Sequence, residues 1–258
     1  MGGKDNYLER LFSSSTPEGK RMRKAIVAEL LGTLLFQFMV GFSRHDALAA
    51  GVSYAVLLYG TQQISGGHLN PALTLAMVAA GYFHWVTALI YIITQIVGAV
   101  LGALLQIGLV PGVHWGQQPH SPGCYDPAND LTGAQAFGWE TVLTFTLVYI
   151  LFATAVYRPG HGSLSPLALG LTVYVATVAG GPWTGASINP ARVFAGLIVY
   201  GCNLHGVWWI YLLSQVVGAF LGAGVAGYVF GYGSYTGADG NLRGETHEPL
   251  TGRDTESA

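Results

Sequence analysis

The chain has 258 residues, of which 51% are hydrophobic and only 9% are charged, and its formal net charge is -2. A soluble domain carries about 25% charged residues, so the composition excludes an ordinary soluble protein. The small net charge offers no basic surface for nucleic acid. The composition therefore predicts a protein that lies in the lipid bilayer and has no nucleic-acid partner.

The first 24 residues are polar, and they carry a basic cluster at residues 20–24 without the apolar core of a cleaved signal peptide. The long loop at 110–134, by contrast, has no Lys or Arg. Because basic residues stay on the cytoplasmic side of a membrane, both termini are predicted to be cytoplasmic. A location in the plasma membrane and one in the vacuolar membrane are both compatible with the sequence.

Six apolar segments are long enough to cross a bilayer, which takes about 20 residues. They cover residues 25–43, 47–65, 84–109, 135–157, 165–181 and 206–231. Two more, about 70–80 and 189–200, are too short to cross, and each begins at Asn-Pro. Short helices of this kind exist in a membrane only as half-helices that the surrounding bundle supports.

The chain is also an internal duplication. Ala28-Glu29 begins the first span and Trp139-Glu140 the fourth, while the segment 94–99 of the third span recurs as 214–219 in the sixth. Each copy therefore contributes three spans and one half-helix. Since three is an odd number, the second copy must be inverted in the membrane, and inverted repeats bring equivalent elements together at the midplane.

The two half-helices begin with the same tripeptide, Asn70-Pro71-Ala72 and Asn189-Pro190-Ala191. Asn is a favoured N-cap whose side-chain oxygen accepts from a first-turn amide, and Pro suits the next position. With that oxygen engaged, we expect each Asn to keep its NH2 free to donate into a cavity. Two helix N-termini, each with about half a positive charge, would then face a neutral solute.

With these motifs and the following Arg192, the chain resembles the aquaporin, or major intrinsic protein, family over about residues 25–231. The segments 64–68 and 153–156 are similar to the plant tonoplast branch of that family. The resemblance implies an all-α membrane protein with six transmembrane helices and two re-entrant half-helices. It also implies one pore per subunit and a homotetramer.

The predicted domain organisation follows from the spans and the resemblance. Residues 1–24 form a cytoplasmic tail, and 25–231 form the channel domain, with repeats at about 25–109 and 135–231. Residues 232–258 are polar and Gly-rich, which predicts a disordered cytoplasmic tail.

Glu29 and Glu140 occupy equivalent positions of the two repeats, inside apolar segments where charge is costly. We expect them to brace the irregular loops before the half-helices by accepting from backbone amides. A proton relay, as in a transporter, is the alternative. His68, two residues before Asn70, is also expected to brace its loop.

Arg192 follows Asn189 by three residues, where the first repeat has Leu73. A fixed cation there would donate to solute oxygens and repel cations. Counting from the motifs, the resemblance places Ala50, Thr177 and Ala186 beside it as the selectivity filter. No aromatic ring or His stands at these positions, so we expect a mouth wider than in water-selective relatives.

Three other residues have open roles. His161, in the loop before the fifth span, is a candidate gate, with an ordinary solvated histidine as the alternative. Cys124 and Cys202 both fall on the non-cytoplasmic side. A disulfide between them is one possibility, and two separate thiols are the expectation.

These features predict a passive channel for water and small neutral solutes such as glycerol, urea or ammonia, which excludes protons and ions. A strictly water-selective channel and an ion-coupled secondary transporter are the alternatives. Ser, His and Asp are scattered over loops on opposite faces, so no enzyme, cofactor or metal site is predicted.

Overall fold

The computed structural model describes most of the chain. The described residues are 7–41, 46–116, 123–157, 160–202, 206–230, 235–236 and 242–243. The predicted disordered segment 232–258 lies outside them, except for the short antiparallel strands Tyr235–Thr236 and Leu242–Arg243.

A short helix, α1, lies in the N-terminal tail, and the first repeat is built from α2 to α5. The first turns of α2 hold the basic cluster, and α4 is the first half-helix. Their bounds are α1 Tyr7–Phe12, α2 Pro17–Val40, α3 Ala47–Ser65, α4 Pro71–Ala79 and α5 Trp85–Leu109.

The second repeat follows the same order. Helices α6 and α8 each continue into a π-helical turn, and a 3-10 turn, Gly162–Leu164, leads into α7. The bounds are α6 Gly133–Leu151 with Phe152–Val156, α7 Ser165–Thr184, α8 Pro190–Ala195 with Gly196–Tyr200, and α9 Trp208–Phe230.

Local sequence explains where these helices begin and end. The hydroxyl of Thr132 caps α6 in a capping box with Gln135, which satisfies two amide donors at once. Helices α3 and α7 both end at a glycine in the left-handed conformation, Gly66 at φ 94° and Gly185 at φ 82°. These equivalent glycines turn the chain sharply towards the two half-helices.

Within the described residues, four helices are long and apolar enough to cross a membrane: 85–109, 133–156, 162–184 and 208–230. Helices α2 and α3, with 24 and 19 residues, pack beside them and complete the six predicted spans. Large apolar side chains such as Val52, Val56 and Leu171 are exposed, whereas polar side chains lie inside. This distribution is that of a membrane protein, whose polar groups face the bundle interior.

Small residues allow the helices to approach closely. Added Cβ atoms on Gly98 and Gly218 would lie 2.6 Å and 2.5 Å from carbonyl oxygens of α2 and α6 respectively. Where α3 crosses α7, a Cβ on Gly51 would lie 2.6 Å from the carbonyl of Gly170. The recurring glycines thus serve close helix packing, and the matched pairs reproduce the inverted repeat.

Candidate functional site

The two half-helices meet at their N-termini. Asn70 Oδ1 accepts from the amide of Ala72 at 2.9 Å, and Asn189 Oδ1 accepts from Ala191 at 3.0 Å. Pro71 and Pro190 take the first helical position and are buried. Each tripeptide therefore forms the helix start that its sequence predicts.

The two Asn side chains also tie the repeats to each other. Asn70 Nδ2 donates to the carbonyl of Ile188 at 2.8 Å, and Asn189 Nδ2 donates to the carbonyl of Leu69 at 2.9 Å. The expectation that each NH2 stays wholly free is therefore wrong. One of its two hydrogens fixes the junction between the repeats.

The loops before the half-helices hold unusual backbone conformations. Leu69, Ala186 and Ile188 have positive φ angles of 48°, 48° and 43°. Non-glycine residues in this region cost about 1–3 kcal/mol each and need support from their surroundings. The strain brings the carbonyls of Leu69 and Ile188 to the Asn side chains of the opposite repeat.

Glu29 supplies that support in the first repeat. It is fully buried, and its Oε1 accepts from Ser65 Oγ at 2.6 Å and from the amide of His68 at 2.9 Å. Its Oε2 accepts from the amide of Leu69 and from Gln95 Nε2, both at 2.7 Å.

Glu140 repeats this arrangement in the second copy. Its Oε1 accepts from Thr184 Oγ1 at 2.7 Å and from the amide of Ser187 at 3.0 Å. Its Oε2 accepts from the amide of Ile188 and from Gln215 Nε2, both at 2.9 Å. The two carboxylates thus hold the two strained loops in the same way.

Sequence reasoning missed several partners in this network. Gln95 and Gln215 were visible only as part of the repeated segments 94–99 and 214–219. Tyr91 and Tyr211 hold the same loops, donating to the carbonyls of Ser65 and Thr184 at 3.0 Å and 2.8 Å. These residues could have been predicted from the sequence, because they are polar and occupy matching positions of the two repeats inside apolar spans.

His68 lies within the first loop rather than on an open surface. Its Nδ1 is 3.0 Å from Thr74 Oγ1 on α4. Its ring centroid lies 5.0 Å from that of Phe83 and 5.5 Å from that of Tyr91. These contacts support the predicted bracing role.

The four filter residues predicted by counting come together around one small cavity. Ala50, Thr177, Ala186 and Arg192 line it, and about 20 Å³ of it is open to a water molecule's centre, room for about one water. The Thr177 hydroxyl donates to the carbonyl of Val173 at 2.8 Å, so its hydrogen points to the helix backbone. Arg192 is therefore the main hydrogen-bond donor among these four side chains.

Two aromatic rings hold Arg192. Its Cζ lies 5.0 Å from the ring centroid of Phe36 and 5.1 Å from that of Tyr125, within the range of a cation–π contact. Arg192 as a whole is 5% exposed. In the part of the chain that the structure describes, its buried Nε has no hydrogen-bond partner.

The expectation that no aromatic ring narrows this opening is wrong. Tyr125, from the loop between α5 and α6, lines the cavity together with Gly123 and Cys124. The expectation of separate thiols is wrong as well, since Cys124 forms a disulfide with Cys202. The disulfide was not predictable from spacing, because 78 residues separate the two cysteines.

His161 lies apart from this cavity. It is exposed, precedes the 3-10 turn before α7, and donates its backbone amide to the carbonyl of Thr154 at 3.0 Å. Its role as a gate stays a prediction.

The family model of the major intrinsic proteins matches residues 16–226. The chain belongs to this family. Its members are membrane channels rather than enzymes, and the chain is thus an integral membrane protein of the channel class.

Curated relatives come from several plants. Aquaporin TIP3-1 of Zea mays is 35% identical over 251 residues, which cover 90% of each chain. Probable aquaporin PIP2-7 of Oryza sativa subsp. japonica is 34% identical and covers 78% of this chain and 77% of that protein. Aquaporin NIP1-2 of Arabidopsis thaliana is 33% identical, with coverage of 84% and 76%.

Among solved structures, the X-ray structure of the aquaglyceroporin from Plasmodium falciparum aligns with a TM-score of 0.68. It covers 81% of this chain and 96% of that one at 19% identity. This similarity confirms the predicted aquaporin-like helical bundle.

Proposed function

We propose that this chain is a passive channel that conducts water and small neutral solutes and excludes protons and ions. The observation that carries the proposal is the reciprocal pair of hydrogen bonds between Asn70 and Ile188 and between Asn189 and Leu69. These bonds hold two helix N-termini face to face, and each Asn keeps one N–H for a passing oxygen.

Ion exclusion follows from the charges at this junction. Two helix N-termini contribute about half a positive charge each, and Arg192 adds a full positive charge at the constriction. The carbonyls of Leu69 and Ile188, which could ligate a cation, each have one of their two lone pairs engaged by an Asn side chain. A neutral oxygen that accepts from both Asn residues has its lone pairs engaged, which opposes a proton relay through it.

The two buried carboxylates argue against an ion-coupled transporter. Glu29 and Glu140 each accept four hydrogen bonds, which fills the acceptor capacity of a carboxylate. A proton taken up by either group would displace one of these donors. Structural bracing thus explains both residues without a relay.

The choice of solute depends on the constriction. The methyl groups of Ala50 and Ala186 leave more room than rings would, which favours glycerol, urea and ammonia as additional solutes. Tyr125 and the cavity of about 20 Å³ favour the second candidate, a channel for water alone. We therefore expect water to be the main permeant and the small neutral solutes to be additional ones.

Stopped-flow swelling of proteoliposomes with sucrose, glycerol and urea gradients tests this proposal. A channel gives fluxes that rise linearly with the gradient, do not saturate and need no ion. A flux that saturates or that requires an ion gradient would favour the transporter. If only water passes, the second candidate is correct.

We further propose that the chain assembles as a homotetramer with one pore per subunit, and that both termini are cytoplasmic. Both half-helices of a junction come from one chain, which supports a complete pore in each subunit. Light scattering of the detergent-purified protein tests the assembly, and protease access to a tag at either end in sealed vesicles tests the orientation.

A further inference from the structure

One wall of the filter cavity is a loop rather than a helix. Gly123, Cys124 and Tyr125 lie between α5 and α6 in a segment without helix or strand up to Ala128. The other lining residues belong to the helices, to the turn at Gly41 that ends α2, or to the braced loop before α8. The position of this one wall therefore depends on what ties the segment to the bundle.

Among the links that hold the segment are two backbone hydrogen bonds and a disulfide. The amide of Gly123 donates to the carbonyl of Gly41 at 2.9 Å, and the amide of Ala128 donates to the carbonyl of Trp183 at 2.7 Å. The third link is the disulfide from Cys124 to Cys202, directly after the π-helical turn that follows α8. It is the covalent one of the three, and it is adjacent to Tyr125.

Tyr125 transmits this position to the filter. Its ring lies 5.1 Å from Arg192 Cζ, and a Cβ added to Gly185 would lie 2.9 Å from its Cδ1. Gly185 precedes the filter residue Ala186. The ring thus contacts the filter cation on one side and the backbone beside a filter methyl on the other, and it has little room to shift in place.

We propose that the Cys124–Cys202 disulfide sets the solute selectivity of the channel by fixing Tyr125 against Arg192. Without the disulfide, noncovalent contacts alone tie the segment to the bundle, and Tyr125 leaves the cavity for part of the time. The opening then widens and Arg192 loses one of the two rings that hold it. Tyr125 lines the pathway, whereas the disulfide acts as a positioning element.

This inference rests on the proposed channel function, so water permeability is measured in the same vesicles as solute permeability. The variants are C124S/C202S, Tyr125→Ala and the triple variant. We expect the glycerol-to-water permeability ratio to rise about fivefold in C124S/C202S. Loss of one cation–π contact changes the population of Tyr125 positioned against Arg192 by about this factor. Tyr125→Ala should give a similar rise, and the triple variant should add little to it because both changes remove one element.

Chemical reduction supplies a second test on wild-type protein that is already folded and reconstituted. A dithiol such as dithiothreitol breaks the S–S bond, transfers two electrons and two protons to give two thiols, and closes to its own disulfide. Titration of the thiols after denaturation verifies that the bond is broken. The ratio should rise as in C124S/C202S, and the same treatment should leave the ratio of C124S/C202S where it was.

Tyr125→Phe keeps the aromatic face and should restore most of the low ratio that Tyr125→Ala loses. A general loosening of the fold would instead affect both Tyr125 variants alike. A water-conducting wild type whose ratio is the same before and after verified reduction would overturn the inference alone. A wild type that conducts no water would overturn the proposed function as well.

Discussion

Replacing Glu140 with Gln should weaken the second half-helix by an amount that the hydrogen bonds determine. The four donors around this carboxylate are two backbone amides, those of Ser187 and Ile188, and the side chains of Thr184 and Gln215. A Gln side chain offers one oxygen and one NH2 in their place. The NH2 must face one pair of donors.

Either orientation leaves one buried backbone amide without an acceptor. If the NH2 faces Thr184 and Ser187, the Thr184 hydroxyl can rotate to accept, but the Ser187 amide cannot. If it faces Ile188 and Gln215, the Gln215 amide can flip, but the Ile188 amide cannot. One buried unsatisfied donor costs about 1–3 kcal/mol of unfolding free energy, which for a chain of this size lowers the melting temperature by roughly 2–12 °C.

Glu140→Ala removes both acceptor oxygens, so two amides are left unsatisfied and the loss should be about 2–6 kcal/mol. Glu29→Gln is the matched variant in the first repeat, where the same types of donor surround the carboxylate, and it should lose as much as Glu140→Gln. Thermal unfolding in detergent measures the stability, and stopped-flow swelling measures the conduction. If Glu140→Gln melts and conducts like the wild type, the bracing role is wrong.

Three further predictions concern the constriction and the gate. Ala50→Phe combined with Thr177→His fills the cavity with rings, so glycerol permeability should fall about tenfold or more relative to water permeability. Contacts in a binding pocket discriminate between solutes by about this factor. An unchanged glycerol-to-water permeability ratio would contradict the filter assignment. Mercuric chloride should not inhibit the oxidised channel, since both cysteines of the chain are in the disulfide. After reduction it should inhibit water permeability, because Cys124 lines the cavity. Inhibition without reduction would indicate a free thiol. If His161 is the gate, His161→Ala should abolish the pH dependence of permeability, and a pH dependence that persists in the variant would show that this residue is not the gate.

The membrane helices were predictable because their signals are local. An apolar stretch of fixed length predicts a span, and Asn70 and Asn189, each followed by Pro, predict a helix start, whatever the rest of the chain does. The predicted half-helices at 70–80 and 189–200 accordingly agree with α4 and with α8 and its π-helical turn. The hydrogen bonds from the loop amides to Glu29 and Glu140 were predictable because charge inside an apolar span requires partners.

The remaining features depend on contacts between distant parts of the chain. The hydrogen bond from Asn70 to Ile188 joins opposite repeats, and no single helix start can indicate it. Tyr125 and Cys124 lie in an irregular loop where no periodicity assigns a position. Counting from the motifs identified Ala50, Thr177, Ala186 and Arg192, which the structure places around one cavity, but it could not identify the loop residues that line the same cavity.

Parallel measurement of water and proton flux in the same proteoliposomes tests the proposed channel most directly. The helix junction at Asn70 and Asn189, together with Arg192, predicts a water flux that rises linearly with the osmotic gradient. It also predicts that an imposed pH gradient, with valinomycin to clamp the membrane potential, decays no faster than in empty vesicles. Proton flux above that of empty vesicles, or water flux that needs an ion gradient, would contradict it.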